Sequence, residues 1–203
     1  MALSYEFQEF YHTWMTKAAE YGTEELRDCF DKFFTLFVVY NRLYAEVTFN
    51  LVRTGRIHRL RRDSNNPGTM RRIFPDRMAA TQYLQQYLRS IDIINHLESN
   101  NATVNAINTI CNLLENQQFY IKLDAFTGAR QRPEDERLLR NLQSTNRGFR
   151  ASAILDLVYS IRCNMFHGHK GFQGVQIELL QPVTTILERL IKLIFQKLSN
   201  EQD

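Results

Sequence analysis

Cysteine is scarce in this chain of 203 residues: Cys29, Cys111 and Cys163 are odd in number, far apart and form no Cys-x-x-Cys pair. That excludes a disulfide framework and a zinc knuckle, and leaves buried free thiols as the expectation. Glycine (8) and proline (4) are equally thin, which excludes collagen-like repeats, long disordered tracts and turn-dense β-sandwiches. Long apolar runs are missing as well. The longest runs from Leu36 to Tyr40, far short of the ~20 residues a membrane span needs. The opening MALSYEFQEF has no basic stretch ahead of an apolar one, so no secretory signal is expected and the cytoplasm is the expected compartment, with no membrane partner. There is no Gly-rich phosphate loop, no Ser-His-Asp grouping and no close carboxylate pair. His167-Gly168-His169 lacks a carboxylate or Cys at ligand spacing. Neither a cofactor nor a metal is expected.

What is present is helical periodicity in nearly every segment. Helices are expected over residues 4–20, then from a Thr23 cap to about Gly55, and from Pro75 to about 98. Further ones are expected over 103–116, from Pro133 for about ten residues, and over about 149–167 and 176–199. Phe30, Phe33, Phe34, Phe37, Tyr40 and Tyr44 recur at spacings of mostly three and four and read as a core stripe. Met78, Tyr83, Leu84, Tyr87, Leu88 and Ile91 form the apolar side of the third helix, and Leu187, Leu190, Ile191, Ile194 and Leu198 that of the last. Residues 118–123 read equally as a short strand or an extended connection. The expected product is an all-α, antiparallel helical bundle of about five to seven helices, a single domain over 1–203.

Charge is unevenly distributed. Residues 53–77 hold eight Arg against Asp63 and Asp76, so this segment carries +6 in a chain of net +3, and the rest sums to −3. Arg also outnumbers Lys, 19 to 6, and its planar fork suits phosphate oxygens. A basic loop or arm on a mildly acidic body points to a polyanion, with Arg56, Arg59, Arg61, Arg62, Arg71 and Arg72 as the contacts. A solvated loop is the competing reading, since no aromatic residues interleave with the Arg run.

Chemistry concentrates at the end of the helix expected to stop at Gly168. At about 100° per residue, Ile154, Leu157, Val158, Ile161 and Met165 share one direction, and Asp156, Ser160, Cys163 and His167 the opposite, exposed one. Asn164 falls about 60° from His167, and Arg162 about 140° away on the other flank. An Arg, an Asn and a His thus emerge within two turns, with a helix end beside the imidazole. A bland alternative stays open: Arg162 as a salt-bridging residue and His167 as a cation stabilised by the helix dipole.

Arg162-Cys163-Asn164-Met165-Phe166-His167-Gly168 resembles the Arg-x-Asn-x-x-His-Gly form of the HEPN superfamily, all-α domains marked by Arg-x(4–6)-His at the end of a core helix. The detailed match covers about a dozen residues. The resemblance implies an HEPN-like bundle and a metal-independent endoribonuclease, of toxin or antiviral-defence type, acting on RNA as a homodimer. His167 would be general acid and base, Arg162 would stabilise charge on the phosphorane oxygens, and Asn164 would orient phosphate or imidazole; Lys170 in the loop that follows reads as a contact to phosphate or simply to solvent. An antitoxin or sensor protein is a further implied partner. A catalytically silent HEPN module that binds RNA, nucleotide or protein is the alternative. Two features depart from the pattern. Cys163 stands after the Arg, where active members often carry a polar residue. His169 stands where one toxin subgroup carries a modified Tyr, so that mode of regulation does not carry over.

Overall fold

The computed structural model describes residues 3–57, 75–124, 126–166 and 176–200, and among these the chain is a helical bundle without a β-strand. The helices are α1 (Tyr5–Glu20), α2 (Leu26–Arg53), α3, α4 (Ser90–Glu98), α5 (Asn101–Glu115), α6 (Arg132–Leu142), α7 (Arg147–Phe166) and α8 (Ile177–Asn200). In α3, Asp76–Met78, the π-helical turn Ala79–Tyr83 and Leu84–Leu88 follow one another without a break. No described helix is long and apolar enough to cross a membrane.

The two stripes read from the sequence meet in the core. Phe33, Phe37, Tyr40 and Tyr44 of α2 are buried, and so are Leu187, Leu190, Ile191, Ile194 and Leu198 of α8. The aromatic ladder keeps ring centroids 5.4–6.1 Å apart from Phe33–Phe37 through Phe37–Tyr40 to Tyr40–Tyr44, within the range of favourable tilted and edge contacts. α8 packs on α2 and α5, and α1 covers α2, with Tyr11 stacked on Phe195 at 3.6 Å. α7 packs against α3, α4 and α6. One continuous set of buried side chains draws on all eight helices.

Three expectations are corrected, and one left open is resolved. Thr23 does not cap α2: the N-cap is Glu25, without a side-chain capping bond, and the Thr23 carbonyl instead accepts from Gln181 Nε2 and from Cys29 Sγ. The third expected helix is two helices, because Arg89 between α3 and α4 adopts φ 63° and ψ 138°. That kink resets the helical phase, so Ile91 is 42% exposed while Ile93, Ile94 and Leu97 turn inward. Of the three cysteines, Cys29 and Cys111 are buried free thiols and Cys163 is only half-buried. Residues 118–123 are an extended connection, with one isolated antiparallel bridge between Leu123 and Arg130.

The π-turn of α3 has a visible cause. Tyr40 Oη donates to the Ala80 carbonyl and Thr81 Oγ1 to the Arg77 carbonyl, both at 2.7 Å, so side chains satisfy backbone acceptors where the helical ladder widens.

Arg89 holds a positive φ that L side chains rarely adopt, and among the described residues its side chain is compensated by an exposed fork onto Asp92. Arg89→Gly is therefore expected to raise Tm by about 2 °C and Arg89→Ala to lower it. Thermal unfolding of the three proteins checks this, and a Gly variant no more stable than the Ala variant would sink it.

Candidate functional site

The end of α7 carries two of the three residues singled out by sequence. α7 is described to Phe166, so His167 lies outside the described residues, and so do Arg59, Arg61, Arg62, Arg71, Arg72 and Lys170. Arg56 is described: it is exposed, and its carbonyl accepts from Gln86 Nε2 at 3.3 Å.

Arg162 and Asn164 leave α7 in different directions, as their helical angle requires. The Arg162 side chain is 25% exposed and lies over the Phe37 ring at 5.4 Å and the Tyr159 ring at 6.0 Å. Its Nη1 stands 3.8 Å from Asp76 Oδ2. The same carboxylate accepts from Tyr44 Oη and, at 3.0 Å, from Tyr159 Oη. Burial foremost pushes both phenols above their ordinary range, and Asp76 adds to the rise in each. Both therefore stay protonated as donors. Asp76 is the first residue of α3, where the helix dipole favours a carboxylate.

The other flank of α7 is not open to solvent, contrary to expectation. Asp156, Ser160 and Cys163 are half-buried, because the extended connection crosses over them. Lys122, only 11% exposed, donates from Nζ to Asp156 and, at 2.8 Å, to Ser160 Oγ. Arg77 Nη2 reaches the second oxygen of Asp156 at 3.0 Å. Asn164 Nδ2 donates to the Ile121 carbonyl at 2.8 Å, so its amide holds backbone at this position. From below, Asp135 Oδ1 accepts from Ile121 N at 3.0 Å and Lys122 N at 2.8 Å.

Two cavities of about 350 and 360 Å³ follow this flank of α7 and share Arg77, Lys122, Glu134 and Arg137 in their walls. One reaches Tyr159, Cys163 and Asn164; the other runs back to Ser152 and Asn141. Among the described residues no group of three or more His, Cys, Asp or Glu is placed to hold a metal ion.

Sequence reasoning did not single out Asp76, Arg77 or Lys122. Asp76 and Arg77 were counted with the basic segment, although Pro75 before them already signals a helix start. Lys122 sits in the stretch without periodicity, and no local signal marks it.

The clamp under the site has a testable pH dependence. Asp135 is 5% exposed, and its Oδ2 has no hydrogen-bond partner among the described residues. Desolvation raises its pKa, against the pull of the two N–H donors and of Arg130 and Lys122. A folded-state pKa above the unfolded one gives stability that is present below the unfolded value and lost as pH rises through the folded one. Urea midpoints of Asp135→Asn and wild type should therefore diverge in the variant's favour as pH rises from about 4 to about 7. A constant gap would contradict the assignment.

Comparison of the chain with known protein families, with characterised proteins and with solved structures finds no match, so its reading rests on its own residues.

Proposed function

We propose that this chain is a metal-independent endoribonuclease of the HEPN type, acting on RNA as a homodimer in toxin or antiviral-defence roles in the cytoplasm, under an antitoxin or sensor partner. His167 takes the proton of a ribose 2′-hydroxyl as that oxygen attacks phosphorus, and a symmetry-related His167 protonates the departing 5′-oxygen. The products are a 2′,3′-cyclic phosphate and a 5′-hydroxyl. Arg162 stabilises the charge on the phosphorane oxygens, and Asn164 keeps the end of α7 in register with the connection that covers it.

The observation that carries the reading is the fixed guanidinium of Arg162, five residues before His167 in sequence. Asp76 and the rings of Phe37 and Tyr159 surround it, so its rotamer freedom is lost on folding and not on substrate binding. Arg162 and His167 diverge by about 140° on a regular helix, so one copy brings them together poorly. Assembly across a two-fold axis supplies the Arg of one copy to the His of another. The Arg-rich residues Arg56, Arg59, Arg61, Arg62, Arg71 and Arg72, with Lys170, supply the electrostatic attraction for the strand.

One observation favours the silent module instead: both Arg162 and Asn164 already have partners inside the fold. A single experiment separates the two. Purified protein is incubated with a mixed RNA pool in EDTA, beside Arg162→Ala and His167→Ala. The expected outcome is cleavage by wild type with cyclic-phosphate ends, and a loss of at least about 100-fold in each variant. Growth arrest on expression, relieved by His167→Ala, is expected alongside. RNA bound but intact in every lane would retire the ribonuclease reading in favour of the silent module.

A further inference from the structure

A polar network separate from the Arg162 cluster gathers around Asp156. Two cations, Arg77 Nη2 at 3.0 Å and the nearly buried Lys122, converge on this one carboxylate. The remaining acids of the cavity walls have other donors. Glu134 pairs with Arg137. Asp124 Oδ1 accepts from Phe126 N, Thr127 N and Thr127 Oγ1. Asp135 lies behind the wall and faces Arg130 as well as Lys122. Taken alone the Arg77–Asp156–Lys122 triad carries one positive charge in excess, and its two cations line both cavities; Asp124, in the wall of one of them, keeps its charge among neutral donors.

We propose that Arg77 and Lys122 form a binding subsite for the phosphate group of a nucleotide. Lys122, 11% exposed, attracts an anion more strongly than an exposed cation does, because water screens it less. Arg77 is 66% exposed, so its guanidinium can turn from Asp156 to a phosphate without opening the core. Each flanking cavity, at about 350–360 Å³, has the size of a small-molecule pocket. Carboxamides stand on both sides of the junction: Gln82 and Asn141 in one wall, Gln131 and Asn164 in the other. Side chains of this type hydrogen-bond the edges of unstacked bases. Between Ser152 and Asn164 the two cavities follow about 18 Å of α7, which suits a strand lying along the helix with one phosphate at the junction. RNA as the carrier rests on the ribonuclease reading above; phosphate as the ligand does not.

The test is fluorescence anisotropy with a labelled 2′-O-methyl oligonucleotide, which has no free 2′-hydroxyl and cannot be cut. Arg77→Gln, Lys122→Gln and Asp156→Asn are compared with wild type in the full-length protein. Arg77→Gln and Lys122→Gln are expected to weaken binding by about three- to ten-fold at 0.1 M salt and to reduce the salt slope by about 0.7 each. Asp156→Asn is expected to tighten binding, since it removes the competing carboxylate and keeps a hydrogen-bonding side chain. Competition by a mononucleotide as strong as by the oligonucleotide would assign the subsite to a free nucleotide, and competition by the oligonucleotide alone to a strand. Weakening by all three substitutions would mark the triad as purely structural and overturn the proposal. So would an Arg77→Gln protein of unchanged affinity, a variant whose exposed position spares the core. The expected sign pattern in a protein that cleaves no RNA would retire the ribonuclease reading and keep the subsite. Cleavage with binding indifferent to all three changes would do the reverse.

Discussion

A half-exposed carboxylate at the start of α3 joins three helices, α2, α3 and α7, through their polar side chains. Asp76 receives the hydroxyls of Tyr44 from α2 and Tyr159 from α7, and stands beside Arg162. Tyr44 is fully buried, so its hydroxyl has no access to water and needs this acceptor. Arg162, over the rings of Phe37 and Tyr159, needs an anion within reach for the same reason. Asp76 satisfies both, and in doing so sets the angle at which α3 enters the bundle and the position of the Arg at the end of α7. The aromatic ladder of α2 ends on this carboxylate, so the core and the candidate site are continuous through one residue.

α7 is consequently held on two flanks by different means. On the Arg162 flank the restraint is a carboxylate from α3. On the other it is an extended connection, fastened from α6 by Asp135 and from α7 by Asn164 and Asp156. An extended segment cannot satisfy its own backbone, and here Asp135 and Asn164 supply the partners that a second strand would have given. The connection lines one of the cavities along α7 with Ile121, Lys122, Leu123 and Asp124, and reaches the other through Lys122. Of the two cations of the proposed phosphate subsite, Lys122 comes from this connection and Arg77 from the first turn of α3.

Periodicity alone made the core legible. The α2 and α8 stripes needed only the 3.6-residue repeat, and each of the five α8 positions is buried. Where the reading failed, the deciding partner was remote or the signal was absent. α2 starts two residues beyond the locally sensible Thr23 cap, at Glu25, and Gln181 binds the Thr23 carbonyl from 158 residues away, a partner that nothing in residues 20–26 announces. Arg89 breaks a helix without a Gly or Pro to mark it. Lys122 acquires its role from Asp156 and Ser160, more than thirty residues later. The Arg162 position was legible as a motif, but its anchoring by Asp76 was hidden, since Asp76 counted only as a minor charge in a basic segment.

The placement of that segment's ends changes how its charge acts. The described chain leaves α2 through Arg56, whose carbonyl is held by Gln86 near the end of α3, and returns at Asp76 against Arg162. Gln86 and Asp76 are ten residues apart on one helix, so the two anchors stand about 15 Å from each other. An arm free at one end would sample its surroundings widely and contribute mainly to encounter rate. A basic segment tied at both ends keeps its charge at higher effective concentration near its anchors. One of those anchors is the carboxylate that holds Arg162. The chain therefore re-enters the described fold next to the carboxylate that holds the guanidinium at the end of α7. Of the segment's charges, it is the Asp beside the helix-starting Pro that ties the basic stretch to the candidate site.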